Sequence, residues 1–151
     1  MIGLIRELAE YERAPSEAVA TASQLHEALF GPQPAVFCDV AESDGVVVGM
    51  AIWFLNFSTW LGRHGIYLED LYVKPDRRGH GLGKALFANL ARRCVSEGYG
   101  RLEWNVLDWN TPAIDFYVAL GATGMEEWTI HRLSGDSLMQ LAQEAPPQSS
   151  P

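Results

Sequence analysis

The chain of 151 residues predicts an α/β domain, helices and strands interleaved along one polypeptide, and three stretches carry that prediction. Tyr67 to Val73 is a β-branched and aromatic run that stops at Pro75, passes Arg77 and Arg78, crosses glycines at 79, 81 and 83, and opens into an apolar-periodic stretch. It reads strand, loop, helix. Arg101 to Val106 alternates as a second strand and leads through a polar loop into a helix with Pro112 at an early position. Val36 to Glu42 and Val46 to Phe57 flank Asp44-Gly45, a hairpin signature, so part of the sheet is antiparallel.

The elements follow in order. Leu4 to Tyr11 carries Leu4, Ile5, Leu8 and Tyr11 at helical spacing, and Thr21 to Gln24 is a capping-box pattern opening a second helix that Gly31 closes. After the hairpin come a strand from Gly65 to Val73, a long helix from about Gly83 to Glu97, the strand after Arg101 and a helix from Thr111 to Leu120. A last strand is expected near Trp128 to Leu133, then a short helix capped by Asp136. One domain over residues 1–144 suits this length. Residues 145–151, rich in Pro, Ser and Gln, read as a disordered tail.

Composition limits the function. Hydrophobic residues make up 48% and charged residues 20%, an ordinary soluble mix, and no apolar run approaches the ~20 residues that span a bilayer. The start shows no signal-peptide pattern, so the expected location is cytoplasmic, away from membranes. A net charge of −8 disfavours nucleic acid, yet Lys74, Arg77, Arg78 and Lys84 cluster around the glycine loop. An acidic body with one basic patch suits an anionic ligand and a cationic substrate. Cys38 and Cys94 read as core thiols, and the four histidines lack ligand spacing, so no metal is expected.

The glycine loop has the layout of a phosphate site. Glycines leave the backbone open to a ligand, and the first helical turn presents N–H groups that have no intrahelical partner. A P-loop is excluded, because Gly83-Lys84 is followed by Ala85 and Arg78 stands where the first Gly should be. A dinucleotide fingerprint is excluded by the spacing of the glycines. A plain glycine turn capping a helix is the remaining alternative. What the spacing does match is Arg-x-x-Gly-x-Gly at Arg78, Gly81 and Gly83.

That loop resembles the acetyl-CoA loop of the GNAT N-acetyltransferases. Taken with "YLEDLYV" and "VLDWNTPAIDFYVALGA", it is similar to the diamine branch, the spermidine/spermine and thialysine acetyltransferases. The resemblance runs from "LIRELAEYE" to about His131. It implies a mixed, mostly antiparallel sheet flanked by helices, and acetyl-CoA as co-substrate without a metal. Family domains begin with a strand before the first helix; none is found here, which would leave the neighbouring edge bare, and the expectation is reduced stability or another chain or segment covering that edge.

The same resemblance assigns roles. Leu71, Tyr72, Val73, Arg78, Gly79, His80, Gly81, Leu82, Gly83, Lys84, Asn110, Ala113 and Tyr117 meet the cofactor, with His80 supplying a backbone N–H and an amide near Leu71 polarising the acetyl carbonyl. Glu69 handles the amine proton and Tyr117 protonates the departing thiolate. Substrate candidates are Tyr11, Glu12, Trp60, Glu69, Asp70, Glu103, Asn105, Trp109 and Glu127, the tryptophans as walls for an ammonium group. Core packing is an equally good reading for each tryptophan, as is a structural or dimer contact for Asp70. Ser58-Thr59-Trp60-Leu61-Gly62-Arg63 looks closer to the thialysine-type relatives, favouring a lysine-like amino acid or small diamine. Long polyamines, and an acyl-CoA-binding module without turnover, are the alternatives. A homodimer is expected.

Overall fold

The computed structural model describes residues 1–146, which form two compact units, Met1–Asn110 and a second from Thr111 onward, taken here one at a time. The first holds α1 (Ile2–Tyr11), α2 (Ala22–Phe30), β1 (Phe37–Ser43), β2 (Val46–Ser58), β3 (Arg63–Val73), α3 (Leu82–Ser96) and β4 (Leu102–Trp104). A short 3-10 turn over Pro15–Glu17 joins the first two helices, and another over Pro75–Arg77 follows β3. Thr21 and Gln24 form the expected capping box at the start of α2.

The sheet order is β1-β2-β3-β4, antiparallel except for the parallel pair β3–β4. Asp44 and Gly45, with φ of 53° and 76°, make the two-residue turn that joins β1 to β2. Positive φ at both central residues is what a type I′ hairpin demands. β1 has one neighbour among the described strands and forms an edge, and no described strand precedes α1.

Each face of the sheet is covered by a helix whose apolar stripe faces inward. Leu4 and Leu8 of α1 pack with Met50, Ile52 and Tyr72. Ala51 and Trp53 alternate to the other face, where α3 lays down Leu86, Phe87, Leu90 and Cys94. Arg93 of α3 reaches over the Trp53 ring at 5.0 Å, and Phe87 meets Trp104 edge-on at 4.7 Å. Cys94 is buried and Cys38 partly so; burial pushes both thiols up, Cys38 to about 11, as expected of core thiols rather than nucleophiles.

The second unit contains α4 (Thr111–Ala119) and α5 (Gly135–Ala142). Gly121 ends α4 with φ 91°, and the Tyr117 carbonyl accepts from the N–H groups of Leu120 and Ala122. The strand expected at Trp128 to Leu133 is not formed. A strand exists only where a neighbour completes its ladder, no described strand pairs with this segment, and Trp128, Ile130 and Leu133 are exposed. Ser134 takes the N-cap position of α5, with Asp136 in its first turn instead. Most of the expected tail, 147–151, lies outside the described residues.

Leu90 has no exposed surface, at the centre of the stripe that holds α3 to the sheet. Leu90→Ala should lower unfolding stability by about 2–5 kcal/mol. In urea titration this is expected as a lower midpoint with an unchanged slope.

Candidate active site

Two departures from a regular sheet create the site. The first lies between β2 and β3: Ile52 faces Asp70 and Trp53 faces Leu68, leaving Glu69 without a rung of its own. This is a β-bulge, two residues opposing one, which re-aims side chains and breaks the simple alternation that would separate Glu69 from Asp70. The second is the brevity of the β3–β4 pairing, only Ile66 to Leu68 against Leu102 to Trp104. From Glu69 to Val73, β3 keeps β2 on one side and pairs with no described strand on the other. Its unladdered backbone groups along Leu71, Tyr72 and Val73 are the kind of edge that binds an extended ligand.

An acidic group gathers at the bulge. Burial first, then the charges of Glu69 and Glu12, raise Asp70 from the ordinary carboxylate range to about 6. Burial also raises Glu12, while Glu69 is exposed. The three do not form a metal cluster, and no such group occurs among the described residues.

Beside them Tyr11, at the end of α1, donates its hydroxyl to Oδ1 of buried Asn110 at 2.9 Å and stands 6.1 Å from the Trp109 ring. Expected as a cofactor contact, Asn110 has its side-chain carbonyl engaged by Tyr11. Trp109, expected as a wall for a substrate ammonium, already carries a cation of the protein: the Arg13 guanidinium lies 4.5 Å over its ring. Arg13 adopts φ 64°, a conformation costing roughly 1–2 kcal/mol in a residue with a Cβ.

Arg78 joins the acceptor side to the loop. Its Nε donates to the Val73 carbonyl at 2.9 Å, and its guanidinium stands 4.9 Å over Tyr11 and 5.5 Å over Tyr72. Tyr72 in turn donates to Glu7 at 3.2 Å, and Glu7 lies 3.6 Å from Lys74. Beyond Arg78, Gly79 and Gly81 have φ of 79° and 80°, and a Cβ on either would project into open space. Glycine is required there by backbone conformation, and the side toward a ligand is left clear. Gly81 is the N-cap of α3, and its carbonyl accepts the first helical bond from Ala85, so the N–H groups of Leu82, Gly83 and Lys84 point outward. His80 turns its ring to the Arg78 carbonyl at 2.9 Å. Loop, helix start and open strand edge fit a diphosphate followed by an extended amide chain.

Other expected residues lie elsewhere. Trp60 is at the β2–β3 hairpin tip, 89% exposed and about 20 Å along the strand from the bulge. A single chain does not bring it to Asp70. Glu103 is held by Arg101 at 2.7 Å and by Asn56 at 2.7 Å. Asn105 is exposed just beyond β4. In the second unit, Ala113 and Tyr117 lie on α4, the Tyr117 ring 5.3 Å from Phe116, and Glu127 is in an exposed turn. Arg13, Glu7 and the bracing role of Arg78 escaped the sequence reading, because a left-handed helix end and a stacked guanidinium leave no residue pattern.

Residues 3–122 match the acetyltransferase (GNAT) family, and the chain belongs to that family. Its relatives include a thialysine N-epsilon-acetyltransferase of Bos taurus, 39% identical over 94% of this chain and 89% of the relative. An L-ornithine N5-acetyltransferase of Arabidopsis thaliana is 40% identical over 66% of this chain and 43% of its own length. Among solved structures, an integron cassette protein from the V. cholerae mobile metagenome superposes with a TM-score of 0.79 at 28% identity, covering 95% of this chain and 90% of the other. The enzyme class is thereby given: an acetyl-CoA-dependent N-acetyltransferase.

Two outcomes test the site. Valine at position 81 has to enter a left-handed conformation, and the roughly 1–2 kcal/mol involved corresponds to about tenfold in affinity. Gly81→Val should weaken acetyl-CoA binding by at least that factor in calorimetry while the fold persists. Asp70→Asn should stabilise the protein at neutral pH. A carboxyl whose folded pKa is raised from 3.8 to about 6 favours folding only below that range and opposes it once ionised. The gain in thermal stability, on the order of 2 kcal/mol at pH 7 to 8, should shrink as pH falls from 6 and vanish below 4.

Proposed function

We propose that this enzyme acetylates the side-chain amine of a lysine-like amino acid or a small diamine, by direct attack of the amine on the acetyl thioester in a ternary complex. The observation that carries the reading is the bulge that sets Glu69 and Asp70 together, near Glu12, where β3 gives up its second neighbour. An ammonium is drawn to such a place, and the named activities of the thialysine and ornithine relatives support this substrate class.

The chemistry has to remove a proton. An alkyl amine with a pKa near 10.4 is neutral in only about one part in 2,500 at pH 7, a deficit of roughly 4.6 kcal/mol. A carboxylate beside the amine relieves it. Glu69 is the assigned acceptor, directly or through water, and Asp70, raised to about 6, is better matched to neutral pH and shares the task. The amide edge near Leu71 stabilises the developing oxyanion, and Tyr117 donates its phenolic proton to the leaving sulfur. Acetyl-CoA supplies the acyl group when bound. Gly79 to Lys84 hold its diphosphate, and Arg78 keeps the strand end and loop in register.

In the same reading residues 1–144 act as one domain, the enzyme is cytoplasmic and it forms a homodimer, which offers the route by which a partner's hairpin tip brings Trp60 to the acceptor. No described helix is long and apolar enough to cross a membrane.

Incubation with acetyl-CoA and a panel of amines, reading free thiol, should show lysine-like amino acids and short diamines ahead of spermidine and spermine. A preference for long polyamines, or no turnover with any amine, overturns the proposal. Tyr117→Phe should cut kcat by roughly 10²–10⁴-fold with little change in acetyl-CoA affinity. Full kcat in that variant would move the acid role to another group.

A further inference from the structure

We propose that Arg13 is the carboxylate-binding group of the acceptor site, selecting an amino acid over a diamine of the same length; this rests on the acceptor class proposed above. Arg13 ends α1 in an unusual way. Its N–H donates to the Glu10 carbonyl at 3.1 Å and that of Ala14 to the Ala9 carbonyl at 2.9 Å, the two bonds of a Schellman turn. The left-handed position of that turn is ordinarily glycine, and here it is arginine at φ 64°. Strain of this kind persists where neighbouring contacts over-determine the conformation.

Those contacts are present. The guanidinium lies 4.5 Å over the Trp109 ring; Trp109 stands 6.1 Å from Tyr11, and Tyr11 is bonded to buried Asn110. The contact with the ring leaves the guanidinium N–H donors unused: among the described residues the Arg13 side chain makes no hydrogen bond and no ion pair. A planar cation held at an aromatic ring, with its fork of donors unengaged, matches a carboxylate bidentately.

Its position supplies the other half of the argument. Glu12, the preceding residue, is one of the charges that act on Asp70. Adjacent residues at the end of α1 therefore present a negative charge toward the bulge and a positive charge on Trp109. An acceptor with an ammonium at one end and a carboxylate at the other is complementary to that polarity. On a chain of net charge −8, with Glu12, Glu69 and Asp70 around the amine, an amino acid's carboxylate is repelled unless a cation is placed for it. A diamine has no group for Arg13 and meets it as a like charge.

The test compares L-lysine with 1,5-diaminopentane, its decarboxylated counterpart, in wild type, Arg13→Met, Arg13→Lys and Arg13→Gly enzymes with saturating acetyl-CoA. Arg13→Met should raise the KM for lysine by about 10- to 100-fold, the loss expected on removing one charged hydrogen-bonding partner. Its kcat should stay within about twofold, and the KM for the diamine should be unchanged or fall, since a like charge is removed. Arg13→Lys should recover part of the lysine affinity. Arg13→Gly relieves the backbone and should melt at or above the wild-type temperature while showing the same selective loss as Arg13→Met. Equal losses for both acceptors, or an unchanged KM for lysine in a folded Arg13→Gly protein, overturn the carboxylate role while the acetyltransferase reading survives. Failure of the wild-type enzyme to acetylate either amine overturns both.

Discussion

A strand that loses one of its neighbours in the middle of a sheet leaves backbone donors and acceptors that must be answered by something else, and this constraint governs the arrangement around β3. As far as Leu68 the strand is held on both sides; from Glu69 onward β2 alone pairs with it. The bulge falls at the point of parting. One irregularity therefore frees a backbone edge and gathers carboxylates beside it. The glycine loop and the start of α3 follow within ten residues of Val73, so the open edge and the free N–H groups of the helix start belong to one continuous segment.

Such an edge has to be kept in place without a neighbouring strand, and Arg78 does this from within the chain. Its bond to the Val73 carbonyl satisfies one group at the strand end, and its guanidinium, near the rings of both Tyr11 and Tyr72, ties the loop to α1. Arginine suits the position because its flat, always-charged group stacks and donates at once, which a lysine cannot reproduce. Glu7 and Lys74 extend the same seam at the surface, where an ion pair at 3.6 Å contributes little alone and acts chiefly through its shared link to Tyr72.

Much of this was legible in the amino acids. The hairpin at Asp44-Gly45, the capping box at Thr21 and the strand-loop-helix through Arg78 to Lys84 each have a local cause, a dihedral or a cap that only certain residues satisfy. What depended on partners was not legible. The bulge at Glu69 is a property of register between two strands, and neither alone announces it. Trp128 to Leu133 has a strand's composition but no ladder among the described strands, Glu103 has an amine-binding residue's charge and is also engaged by Arg101 and Asn56, and Trp109 has a free-looking ring that Arg13 covers. In each case residue type indicated a capacity and tertiary contact decided its use.

The hydrogen bond from Tyr11 to Asn110 spans 99 positions of sequence. Contacts of such separation close late, after local turns and hairpins have formed, because the chain between them must first be ordered. On a ribosome adding about 5–20 residues per second, Tyr11 is added some 5–20 seconds before the residue that anchors it exists. Until then the helix has the sheet to dock on but no Asn110 to orient Tyr11, and no Trp109 to hold the arginine at its end. The cluster of Tyr11, Arg13 and Trp109 is thus completed only after the first three strands have been made, and a nascent chain can hold β1 to β3 while its first helix still lacks the residues that fix its end.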